Sequence, residues 1–304
     1  MKAMKRESIY VESLIKADMD KLWMYTQLPE YHEKWDLRFS EIHYLPKKHD
    51  EDPQRFLYKT KIGFGASIAG EGESIKELKG KEGERTSSLK FWSDQKLSLI
   101  SVGRGYWQYK PTSQGILFKT KYDYQTRFGI GGGFFDYFVF RPLMGWATAW
   151  SFDCLRLWLE RGLPPLSSIR LTLVHWLIRL IVAFVWLYQG LIPKILYPEF
   201  GELQLLQQAG LGGSYELRTL YALGLVEIAF GLLLLFWSKR WMYVVQIGAL
   251  VLLTIVSGVA NVEVWFAPFN PLTLNLLLLG FSVMYICIDP VVPKASNCKR
   301  KEKN

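Results

Sequence analysis

Three ionisable residues of this 304-residue chain stand inside long apolar runs, where a charge persists only if it is paired, neutralised or functional. His175 and Arg179 are one helical turn apart and so share a helix face. Counted from the expected ends of their runs, Arg179 lies about 12 Å deep and Glu227 about 15 Å at 1.5 Å per residue. Matching depth predicts one polar cluster of His175, Arg179 and Glu227. Two chemistries fit it: an ion pair that locks two helices, or a site that binds a quinone or anionic headgroup or moves a proton. At the opposite end Gln189, Lys194, Arg218, Asn270 and Asn275 form a second expected polar group, with helix capping and interface anchoring as the simpler account.

The elements that must hold these residues follow from a change of character near residue 170. A mean hydropathy of +0.06 averages two unlike parts. Residues 1–170 hold 27 Lys+Arg against 21 Asp+Glu, and the rest 10 against 7. Four apolar runs, 171–192, 217–237, 241–262 and 272–288, are each near the roughly 20 residues that a bilayer core of about 30 Å requires. Arg156, Arg161, Arg170, Lys239, Arg240 and the lysines after Pro293 fall on one side of these spans. The other connections carry Glu199, Glu202, Glu216 and Glu263. That asymmetry predicts a multi-pass inner-membrane protein with both termini cytoplasmic. The bilayer is thus the first expected partner. No basic stripe follows a nucleic-acid backbone, the interrupted N-terminus lacks a signal-peptide core, and Cys154, Cys287 and Cys298 have no metal-ligand spacing.

Before residue 170 the pattern is that of strands separated by Gly, Pro, Asp and Lys clusters. In the clearest, Phe118, Thr120, Tyr122 and Tyr124 share one face and Lys119, Lys121 and Asp123 the other. Gly129, Gly131, Gly132 and Gly133 then lead into an aromatic segment of helical character ending near Arg161. This glycine run lacks the third glycine and the βαβ setting of a dinucleotide loop. Pro142 predicts a kink, and the stretch Phe138 to Trp150 is also suited to rest on a membrane. The order of strand, two short helices, antiparallel strands and one long helix, together with Pro29-Glu30-Tyr31-His32-Glu33-Lys34-Trp35-Asp36, resembles the SRPBCC or START-like (polyketide cyclase-like) helix-grip fold. The resemblance implies a sheet curled around the last helix with an apolar cavity, for which Phe118, Tyr122, Tyr124, Phe138 and Trp146 are the candidate lining. Filling of an ordinary core is the alternative for the same residues.

The second part resembles the DoxX-like family of four-span membrane proteins. The resemblance rests on Trp186-Leu187-Tyr188-Gln189-Gly190-Leu191-Ile192-Pro193-Lys194, on Gly224-Leu225-Val226-Glu227 with Gly231, and on Pro268-Phe269-Asn270-Pro271-Leu272-Thr273-Leu274-Asn275. It implies a membrane protein, some relatives being associated with thiosulfate:quinone oxidoreduction. The expected architecture is an α+β helix-grip domain at 1–165, an all-α four-helix transmembrane bundle at 166–293 and a basic tail at 294–304. The expected function is non-catalytic: a binding or membrane-accessory module whose cytoplasmic domain takes an apolar or amphipathic small molecule. The alternative is a subunit of a quinone-linked membrane oxidoreductase, with quinone as the candidate cofactor.

Overall fold

A computed structural model describes residues 7–49, 51–63, 65–208, 210, 213–260, 262, 266 and 270–302. Asp50 of the acidic turn, Glu263 and Trp265 of an interspan connection, Pro268 and Phe269 of the last motif and Lys303 lie outside them. The chain divides into two units, one of residues up to 169 together with those from 293, the other of residues 170–292.

The first unit is the helix-grip arrangement. Its strands are β1 (Ile9–Ile15), β2 (Glu41–Tyr44), β3 (Arg55–Gly63), β4 (Ala66–Lys79), β5 (Arg85–Trp92), β6 (Ile100–Thr112) and β7 (Gly115–Thr126). They form one antiparallel sheet in the order β1-β7-β6-β5-β4-β3-β2. Between β1 and β2 come α1 (Met19–Gln27), started by Asp18, whose carboxylate accepts from the Asp20 and Lys21 amides, and α2 (Pro29–Trp35), started by its proline. After β7 the chain forms α3 (Gly129–Phe135), a π-helical turn at Asp136–Phe140 and α4 (Arg141–Arg161). Pro142 therefore falls at the junction of the π-helical turn and α4, where Phe140 and Arg141 keep helical dihedrals and the chain stays helical on both sides of the proline. Gly162, at φ 67°, ends α4 in the left-handed conformation that favours glycine.

The core of this unit lies between α4 and one end of the sheet. The Phe118 ring stacks on Phe152 at 4.4 Å and on Tyr109 at 4.9 Å, with Trp35 and Trp107 closing around them. The residues expected as a separate basic tail are folded onto this core instead. The fully buried Asp153 carboxylate accepts from the Lys294 amide and from Asn297 Nδ2, both at 2.8 Å. Lys299 exchanges two backbone hydrogen bonds with Glu12 on the otherwise open edge of β1.

The second unit holds α5 (Pro165–Leu191) from residue 170 onward, α6 (Glu202–Gln208), α7 (Glu216–Phe236), α8 (Arg240–Ala260) and α9 (Pro271–Ile288). Four helical stretches are long and apolar enough to cross a membrane: Pro165–Leu196, Gly213–Phe236, Arg240–Val259 and Pro271–Val291. The first is longer than the run 171–192 because the helix begins at Pro165 and continues through a π-helical turn at Ile192–Leu196. Helices α5 and α7 meet backbone to backbone. A Cβ on Gly190 would lie 2.5 Å from the Gly224 carbonyl oxygen, and one on Gly231 3.0 Å from that of Ala183. Trp186 Nε1 donates to Gln246 Oε1 at 3.0 Å and Gln246 Nε2 to Ser282 Oγ at 2.7 Å, linking α5, α8 and α9.

Candidate functional site

The expected His175–Arg179–Glu227 cluster is not formed; the structure distributes its members among three sets of partners. His175 Nε2 lies 3.1 Å from Asp289 Oδ1, and its ring stacks on Tyr285 at 4.2 Å. Arg179 donates through Nε and Nη2, each at 2.7 Å, to the Leu234 and Leu235 carbonyls, capping the C-terminal end of α7, and its guanidinium lies 4.5 Å from the Trp176 ring centre. Glu227 instead meets Lys194, whose Nζ is 3.2 Å from Glu227 Oε2 and 3.3 Å from Glu202 Oε1.

The glycine contacts explain the correction. They set a register in which Arg179 stands level with Leu235 and Glu227 with Leu187, about 12 Å apart along the helix at 1.5 Å per residue. Side chains also lean toward the N-terminus of their own helix. In antiparallel α5 and α7, Arg179 and Glu227 lean away from each other, whereas Lys194 and Glu227 lean together. The second expected group divides as well. Lys194 joins Glu227, Arg218 lies over the Tyr215 ring, Asn270 caps α9 through the Thr273 amide, and Asn275 Nδ2 donates to Thr254 Oγ1 at 2.8 Å; Gln189 is half-buried on α5.

In the first unit the candidate lining residues part into core and surface. Phe118 is fully buried in the ring stack. Tyr122 is buried with its hydroxyl 2.9 Å from Thr148 Oγ1, and Tyr124 donates at 2.7 Å to Asp136. Burial, with the Asp136 carboxylate beside it, pushes the Tyr124 phenol well up. Phe138 and Trp146 are exposed on the outer surface. These five do not line a common hollow.

The open part of the inner sheet face lies further along, on β2 to β5. Cross-strand register places Tyr58 opposite Gly70, Phe56 opposite Gly72 and Phe91 opposite both Gly72 and Gly103. Phe56, Tyr58 and Phe91 lie flat over glycines, so that a Cβ on Gly72, Gly70 or Gly103 would collide with the ring. Flat rings keep the floor low. Phe56, Tyr58, Thr60, Ile68 and Phe91 on this face are only half-buried, unlike the inner residues of β1, β6 and β7. Burial pushes the Tyr58 phenol up to about 12.

A buried ion pair stands at the core end of this floor. Asp36 accepts from Arg38 Nε at 2.8 Å and Nη2 at 2.5 Å, and His32 Nε2 lies 3.1 Å away. Burial alone would raise the Asp36 carboxyl; the Arg38 guanidinium, followed by His32, outweighs it and holds the group well below the usual carboxylate range. Arg38 also packs over Phe39 and Tyr122, and Phe39 meets the Tyr58 ring edge-on at 5.6 Å. Glycines at period two inside strands, Gly70 with Gly72 and Gly103 with Gly105, are the sequence signal for this surface. The alternation around Glu71-Gly72-Glu73 alone reads as ordinary strand. Among the described residues no group of three or more His, Cys, Asp and Glu side chains is placed to hold a metal ion.

Comparison with known proteins supplies the lineage. The model of the DoxX-like family matches residues 183–283. The uncharacterized membrane protein YndG of Bacillus subtilis is 47% identical over 188 residues, 62% of this chain and 70% of YndG. Among solved structures, a fragment of the STAR-related lipid transfer protein from Xanthomonas axonopodis aligns with 52% of this chain and 97% of its own at 17% identity and a TM-score of 0.39. The di-domain ARO/CYC StfQ of the steffimycin biosynthetic pathway aligns with 51% of this chain and 52% of its own at 13% identity and a TM-score of 0.37. With a close relative covered over more than two thirds of its length and the family motifs in order, the chain belongs to the DoxX-like family of membrane proteins.

Proposed function

We propose that this chain is a non-catalytic binding module of the inner membrane, in which the β2–β5 face of a cytoplasmic helix-grip domain holds an apolar or amphipathic small molecule. The observation that carries this reading is the floor of half-buried rings, Phe56, Tyr58 and Phe91, laid flat over Gly70, Gly72 and Gly103. An apolar surface left unfilled beside a complete core is a natural place for a ligand to bury area. The Tyr58 and Thr60 hydroxyls donate to the Trp92 and Arg38 carbonyls and so offer a polar end their acceptor lone pairs, while Arg38 is committed to Asp36. Burial pushes the Cys154 and Cys298 thiols up to about 12, which favours packing over nucleophilic use. The cytoplasmic placement of both termini rests on the Lys and Arg bias of the connections.

Native mass spectrometry of the full chain, released from nanodiscs loaded with a total membrane extract, tests this reading. The expected result is a retained small-molecule adduct that is lost in Ile68→Trp, which adds bulk on the ring-floored face, and kept in Leu57→Trp on the opposite, exposed face. No adduct in wild type, or equal retention in both variants, would overturn it. An adduct with a quinone mass that survives Ile68→Trp and disappears in Lys194→Met would favour the quinone-linked alternative.

A further inference from the structure

The segment from Phe128 to Trp146 turns its rings outward, all but Phe140, which packs on the core, and its charges inward. Phe128 is 59% exposed, Ile130 80% and Phe134 64%, and Phe138, Leu143 and Trp146 continue the surface. Its two charged residues are both withdrawn: Asp136 is fully buried and Arg141 nearly so, with Arg141 Nε donating to Asp136 Oδ2 at 3.1 Å and Nη1 to Asp123 Oδ1 at 3.0 Å. A run of exposed rings with no exposed charge of its own has the composition of an interaction surface. Phe128 adopts φ 67°, a left-handed conformation that a bulky side chain rarely takes, and Gly129 follows at φ 53°. This strained turn carries an exposed ring. Helix α3 contains four glycines in seven residues, a poor helix in water by roughly 1 kcal/mol per glycine relative to alanine.

We infer that Phe128–Trp146 is an interfacial anchor, lying at the headgroup and acyl boundary of the bilayer that the chain itself spans. Phe and Trp side chains prefer that depth, and an apolar face with a glycine-rich helix suits shallow insertion. The bilayer is also always within reach. Helix α4 carries 21 residues, about 31 Å at 1.5 Å each, and only the short stretch before Pro165 separates it from the first apolar helix. Tethering at that distance gives a weak interfacial site a high effective lipid concentration. The inference is independent of whether the β2–β5 face holds a ligand.

Depth measurement on the full chain in phosphatidylcholine nanodiscs tests it. A nitroxide is placed at Phe134→Cys or Ile130→Cys in a Cys287→Ser background, with Leu57→Cys as the control; Cys154 and Cys298 are buried and Cys287 is exposed. The expected result is a ratio of oxygen to water-soluble nickel-complex collisions several-fold higher at Phe134 and Ile130 than at Leu57, unchanged between low and high salt because no charge drives contact. Water-like ratios at both sites would overturn the inference. So would spin–spin broadening that grows with two chains per disc, which would assign the surface to a second copy. Leu143→Cys gives a third reading if either label disturbs α3.

Discussion

Replacing Asp36 by Asn leaves the Arg38 guanidinium in place with its counter-charge gone. The pair is deeply enclosed, the Asp36 side chain 0% and the Arg38 side chain 10% exposed, so water cannot take over. Removing one partner of such a pair costs about 3–5 kcal/mol, while replacing both with apolar groups is near neutral. At 1.36 kcal/mol per tenfold, about 4 kcal/mol is a roughly thousandfold change in the opening equilibrium. Hydrogen exchange of the full chain in nanodiscs reads this directly, as faster exchange of β7 and α4 peptides in Asp36→Asn and in Arg38→Met. The double variant Asp36→Leu/Arg38→Met should recover most of the loss. The folded Asp36 carboxyl lies below its unfolded value, so its contribution is complete above about pH 3.9 and is lost as pH falls through the lower folded value. Asp36→Asn should lack that acid-side slope. Single variants that each change exchange less than about tenfold and simply add would refute the buried-pair reasoning.

Lys194→Met leaves the Glu202 and Glu227 carboxylates facing each other without a cation, whereas Glu227→Gln leaves Lys194 one partner, Glu202. Thermal unfolding in detergent should therefore show the larger loss in Lys194→Met, by at least about 1 kcal/mol. Asp153→Ala removes the acceptor of the Lys294 amide, Asn297 Nδ2 and Arg156, and limited proteolysis should then cleave after Lys294 in a protein whose wild type resists at that bond.

The sequence was most informative where one period governs one environment. Alternation in β7 predicted the buried face of Phe118, Tyr122 and Tyr124, and the four apolar runs with their caps predicted the membrane helices. It misled where a partner depended on register between distant segments. Arg179 and Glu227 match in depth only if helices begin where hydropathy begins. Pro165 starts α5 earlier, and the close approach of Gly190 to Gly224 fixes a different level. The tail reads as a separate basic segment because nothing local reveals that Asp153, a residue of the long helix, is buried and needs donors. The candidate lining failed for a similar reason. The inward aromatics of β7, the most regularly alternating strand, are packed into the core, and the open floor is marked by glycines whose partners lie one strand away.

The most direct measurement of the central claim is photolabelling of the full chain in nanodiscs with a diazirine-bearing fatty acid, followed by peptide mapping. Labelling of membrane helices is expected from the bilayer alone. A ligand on the β2–β5 face adds label in β3, β4 and β5 that is displaced by unlabelled fatty acid and absent in Ile68→Trp. Label confined to the apolar helices of residues 170–292, with β3–β5 unmarked in wild type, would contradict it.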